Sequence, residues 1–116
     1  MGTFVVVRSN RGGEGRTLLA QLLIEYLVEA QADWCLFSSA VREASYAGNG
    51  ADRCFPIRIG DTREMVGLVD AIQRGPGAWT LLDLSHVDDP RFVEFCDATG
   101  VITELADTGV GTLSMR

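Results

Sequence analysis

The 116-residue chain has no apolar run approaching the roughly 20 residues that cross a bilayer as a helix. It also has no cluster of basic residues. The first absence argues against a membrane segment. The second, with a net charge of −6 and basic residues that are scattered arginines, argues against broad, salt-dependent binding to nucleic acid. The N-terminus carries no basic segment leading into an apolar one and a cleavage site, so a cytoplasmic location is expected. Cysteine is scarce: Cys35, Cys54 and Cys96 are odd in number, far apart and outside any C-x-x-C pair. That excludes a disulfide framework or a zinc motif of ordinary spacing and leaves three small apolar residues of the core. There is no low-complexity tract, internal repeat or linker, so the composition points to one globular domain over residues 1–116.

What is present is an alternation of short apolar runs and helical periodicities. Phe4, Val5, Val6 and Val7 are consecutive β-favouring residues, and a run without polar alternation predicts a strand covered on both faces, placed at 3–8. Leu19, Leu22, Leu23, Tyr26 and Leu27 recur at helical spacing, opposite Gln21, Glu25 and Glu29, and predict a helix over 16–30 with the leucines and the tyrosine inward. Further strands are expected at 34–37, at 53–59 with Pro56 marking an edge, at 78–85 and at 100–105. Trp34 and Trp79 at strand starts are read as packing residues. Between the strands, Asp61 and Glu64 have the spacing of a capping box, with Met65, Leu68, Val69 and Ile72 as the buried stripe and Gly75-Pro76 as the stop. Asp89-Pro90 reads as the N-cap and first turn of another helix, followed by the apolar face of Phe92, Val93, Phe95 and Cys96. Residues 106–116 read as loop or the beginning of a helix. Strands alternating with helices predict a mainly parallel α/β sheet of about five strands, in three layers.

The chemistry concentrates where the first strand meets the first helix. Gly12, Gly13 and Gly15 lie in the turn, and Thr17 opens the helix. Glycines let successive backbone N–H groups converge on an anion, and the helix N-terminus adds partial positive charge, so this is the composition of a phosphate-binding loop. The common pattern G-x-x-x-x-G-K-[ST] fails, because its first glycine falls on Asn10. Arg11-Gly12-Gly13-Glu14-Gly15-Arg16-Thr17 instead resembles the deviant phosphate loop of the ParA/MinD family, K-G-G-x-G-K-[ST], with arginine at both lysine positions.

The resemblance implies a P-loop NTPase-like fold and a set of roles. Gly12, Gly13, Glu14, Gly15, Arg16, Thr17 and Leu18 would form the nucleotide-binding loop and helix start. Arg16 would contact the β- and γ-phosphates of ATP or ADP, and Thr17 would supply the hydroxyl ligand of Mg²⁺. Arg11 would reach across a homodimer to the partner's nucleotide. Asp83, ending the apolar run before Leu84, would hold Mg²⁺ through water. The function implied is nucleotide-dependent dimerisation that positions or partitions a cellular or plasmid complex through a protein partner. The family continues beyond the equivalent of residue 116, so the chain is expected to match the N-terminal part of a longer fold.

Three departures shape the expected activity. Arginine is a longer, planar donor than lysine and changes the geometry at the phosphates. Glu14 puts a negative charge beside them. The aspartate that orients the attacking water in the family is replaced by Ser38 and Ser39, with Glu43 the nearest acid, so hydrolysis is expected to be slow or absent. The alternative is a nucleotide-free scaffold that keeps the fold and acts as an interaction module. A dinucleotide-dependent oxidoreductase is disfavoured, because the loop lacks G-x-G-x-x-G and no acid ends the second strand. His86 is read as a solvated loop residue, and Asp88-Asp89 as a helix start.

Overall fold

The computed structural model describes residues 2–8, 14–39, 53–74, 77–85, 88–100 and 111–115. In chain order these form β1 (Thr3–Val7), α1 (Glu14–Glu29), β2 (Trp34–Ser38), β3 (Cys54–Pro56), α2 (Thr62–Ile72), β4 (Trp79–Asp83), α3 (Asp89–Thr99) and β5 (Gly111–Met115). The strands make one sheet in the order β3-β2-β4-β1-β5, and every neighbouring pair is parallel.

The apolar run 4–7 and the leucines 81, 82 and 84 became the sheet centre because only a strand covered on both faces can bury consecutive large side chains. Alternation divides them. Phe4 and Val6 of β1, with Leu82 and Leu84, pack with Met65, Leu68 and Ile72 of α2 and Phe92 of α3. Val5, Val7 and Leu81 face the other way, onto Ile24 and Leu27 of α1 with Trp34 and Leu36 of β2. Burying each of these leucines contributes about 1.5–3 kcal/mol. The connection β1-α1-β2 runs towards β3, whereas β3-α2-β4 and β4-α3-β5 run the opposite way. Crossovers of one hand then put α1 on one face and α2 with α3 on the other, which is the division the core shows.

Four local expectations needed correction. Helix α1 starts two residues earlier than 16–30 implied and is rotated: Ile24 and Leu27 are buried, whereas Leu22 and Tyr26 are 54% and 63% exposed. Apolar residues surround much of this helix, so periodicity did not single out the face that the sheet covers. Asp61 does cap α2, accepting from the Arg63 and Glu64 N–H groups at 2.9 and 3.3 Å, but Glu64 does not return the bond to residue 61. Its Oε1 accepts from Arg58 N–H at 3.1 Å and ties down the incoming chain. The N-cap position of α3 is Asp88 rather than Asp89, without a side-chain cap hydrogen bond, and Pro90 lies in its first turn. Gly100 is not a strand start but the left-handed C-cap of α3 at φ 64°, its N–H donating to Cys96 C=O, while the last strand lies at 111–115 in the stretch expected to be loop or helix. Residues 101–105 and the Gly75-Pro76 stop lie outside the described residues.

Strand β3 is shorter than 53–59 and forms one edge of the described sheet. Ile57 N–H donates inward to Ser38 C=O at 2.9 Å, so by alternation the N of Pro56 faces away from β2, where a missing donor costs no ladder bond. At the amino-terminal ends of β2 and β4, Arg74 joins several elements. Its guanidinium donates to Asp33 Oδ2, Cys35 Sγ, Thr80 Oγ1 and the carbonyls of Ala71 and Trp79.

Candidate functional site

Strands β1 and β4 are neighbours, yet the chain leaving β1 goes to α1 on one face and the chain leaving β4 goes to α3 on the other. The sheet's connections therefore part to opposite faces at these carboxyl ends, the topological switch point at which open α/β sheets form a ligand-binding crevice. Val7 and Asp83 are register partners at its floor, and Ser38 at the end of β2 is in register with Asp83 on the other side.

Asp83 is 1% exposed. It has the parity of Leu81, so it lies on the sheet face that carries α1. Glu14, Gly15, Arg16, Thr17 and Leu18 all belong to the first turns of α1, which makes Glu14 a helix-start residue rather than a loop residue. The first backbone N–H groups of a helix have no partner within it. A buried carboxylate and a helix N-terminus thus belong to one end and one face of the sheet. Arg11, Gly12, Gly13, His86 and Glu43 lie outside the described residues.

Around the crevice, side chains tie the loops together. Arg8, directly after β1, makes a two-point ion pair with Asp89 in the first turn of α3, through Nε to Oδ2 at 3.0 Å and through its Nη2 to Oδ1. Ser39 N–H donates to Asp83 C=O at 3.0 Å, and Ser39 Oγ accepts from Ser85 N–H at 2.8 Å. Ser85 Oγ donates to Asp88 Oδ2 at 2.7 Å. The chain segments leaving β2 and β4 are thereby linked, and Asp88 and Asp89 are structural partners of Ser85 and Arg8. Sequence reasoning missed Arg8 and Ser85 and the bond of Ser85 to Ser39, because contacts across more than 40 residues leave no local pattern.

Beside the crevice, an open cleft of about 660 Å³ lies between the start of α2 and the start of α3, with Ser39, Arg58, Asp61, Asp88 and Arg91 among its lining residues. Among the described residues no group of three or more His, Cys, Asp and Glu side chains could by itself hold a metal ion. The cysteines form no disulfide; burial raises the thiol pKa of Cys35 against the opposing effect of Arg74, and raises that of Cys96 to about 11. No described helix is long and apolar enough to cross a membrane.

The architecture is that of a three-layer α/β unit with an all-parallel sheet and a crevice at its topological switch point. Compared with protein-family models, with curated proteins and with solved structures, the chain matches none.

Proposed function

We propose that the chain is a P-loop nucleotide-binding protein of ParA/MinD type, which binds ATP or ADP with Mg²⁺ and dimerises with nucleotide to position or partition a cellular complex through a protein partner. The observation that carries this reading is Asp83, a buried carboxylate in register with the last residue of β1 and on the face of the helix that follows the glycine-rich turn. The donor set fits magnesium in kind: a carboxylate and the Thr17 hydroxyl are hard oxygen ligands, and Mg²⁺ usually keeps several waters and takes the rest from phosphates.

In this reading the N–H groups of Gly12, Gly13 and Gly15 hold the β-phosphate, and Arg16 donates to the β- and γ-phosphates. Thr17 and Asp83 hold Mg²⁺, which when bound neutralises phosphate charge. Arg11 reaches the partner's nucleotide. Ser38 stands beside Asp83 at the register position closest to the expected water-orienting acid, and a neutral hydroxyl is a poor substitute for a carboxylate there. Turnover is therefore slow or absent, and nucleotide binding itself is the signal. The acidic net charge favours a protein partner over direct contact with nucleic acid, and the reading fits a cytoplasmic protein.

The test is a calorimetric titration with Mg²⁺-ATP and Mg²⁺-ADP, with mass measured in each state, on the chain and on Gly15→Asp. Heat that vanishes in the variant, with a mass increase in ATP, supports a working phosphate loop and a nucleotide-dependent dimer. Absence of heat at near-millimolar nucleotide rejects it in favour of a nucleotide-free interaction module, the reading favoured by the exposed Leu22 and Tyr26 of α1.

A further inference from the structure

We propose that the cleft between the starts of α2 and α3 is a separate binding site for a small molecule bearing a phosphate or carboxylate group, gripped by Arg58 and Arg91. Its volume of about 660 Å³ is in the range of small-molecule sites. The chain has ten basic residues against sixteen acidic ones, so unpaired arginines are not imposed by a shortage of carboxylates. Arg8 is paired with Asp89 and Arg74 with Asp33, and Arg53 lies over the Trp34 ring at 5.6 Å. Among the described residues, Arg58, Arg63 and Arg91 have no carboxylate partner, and two of these three line this cleft.

Both arginines line it from the segments that start α2 and α3. Glu64 fixes the Arg58 backbone through the Arg58 N–H. An Arg91 Nη lies 3.9 Å from the place a Cβ would take on Gly60, which also lines the cleft. The two carboxylates on its walls already accept hydrogen bonds, Asp61 from the amides of α2 and Asp88 from Ser85 Oγ. Because Asp61 answers the positive end of α2, the arginines and not the helix dipole are the source of anion affinity. Ser39 adds a buried hydroxyl group at the wall. A guanidinium presents paired donors matched to the oxygens of phosphate and carboxylate.

This site does not depend on the nucleotide reading, and the experiment separates them. Amide NMR titrations with inorganic phosphate, pyrophosphate and citrate, at constant ionic strength, are run on the chain, Arg58→Gln, Arg91→Gln, Arg63→Gln and Gly15→Asp; the spectra also show whether each variant is folded. The expected result is saturable shifts at Ser39, Gly60, Thr62 and Arg91. Affinity falls about tenfold or more in Arg58→Gln and Arg91→Gln and is unchanged in Arg63→Gln and Gly15→Asp. Stronger saturation by phosphate or by citrate assigns the preferred group. Shifts that do not saturate, an equal loss in Arg63→Gln, or a loss in Gly15→Asp, which would move the anion to the glycine-rich loop, overturns the proposal.

Discussion

The two-point ion pair between Arg8 and Asp89 crosses the end of the sheet where the crevice opens, and its strength can be worked from its setting. Both side chains are about four-fifths buried, at 20% and 18% exposure. A fully exposed pair couples by about 0.2–1 kcal/mol, while a hydrogen bond to a charged group contributes about 1.5–3 kcal/mol net. A bidentate pair in this intermediate setting should couple by about 2 kcal/mol. The cycle Arg8→Gln, Asp89→Asn and both together, followed by urea unfolding at neutral pH, isolates that energy from the cost of each single change. With a slope of about 1.5 kcal/mol/M for a chain of this size, the coupling corresponds to about 1.3 M in the midpoint. A second readout is independent of stability. Arg8 lowers the pKa of the Cys96 thiol, so Arg8→Gln should move that thiol above its value of about 11. Coupling below about 0.5 kcal/mol, in the range of an ordinary surface substitution, together with an unmoved Cys96, would refute the placement of Arg8 against α3.

Two further predictions concern the amino-terminal end of the sheet and the thiols. Arg74→Met keeps the aliphatic stem but removes the donors shared by Cys35, Ala71, Trp79 and Thr80. It should lower stability by about 2 kcal/mol in urea unfolding, because Thr80 is fully buried while the Asp33 pair is exposed and adds little. Cys96 is raised mainly by burial, with Asp97 adding and Arg8 opposing; Cys35 is raised by burial against Arg74. A thiol raised in the folded state contributes stability that is complete below its unfolded value and is lost as pH rises through the folded one. Urea midpoints should therefore fall between about pH 9 and 11, less steeply in Cys96→Ala, and an unchanged slope in that variant would remove Cys96 as the cause.

The parallel α/β class was legible because four apolar residues in a row at 4–7, and the apolar run from Ala78 to Leu84 broken only by Thr80 and Asp83, admit few arrangements other than a doubly covered strand. Asp61 was legible for the same local reason, since a cap is decided within one turn. Which side of α1 faces inward was not, because Leu22, Leu23, Ile24, Tyr26 and Leu27 offer the sheet more than one apolar face. The strand at 111–115 was hidden too: Gly111, Thr112 and Ser114 carry little strand signal, and pairing with β1 in the register Thr3 to Gly111 decides the matter. At the candidate site, the glycines, Thr17 and Asp83 stood out as a sequence pattern, whereas Arg8 with Asp89, Ser39 with Ser85, and the cleft of Arg58 and Arg91 exist only once distant segments meet.

The strand order also sets a timetable for synthesis. β1 precedes both of its sheet neighbours, which begin at residues 79 and 111, and among the described strands none pairs with it sooner. Its four apolar side chains must wait on the ribosome for most of the chain to be made, while β2 and β3 already have each other. Such long-range closure slows folding and leaves a sticky segment uncovered for its duration. The strand that leads into the proposed nucleotide loop thus depends on segments that follow it by more than 70 residues.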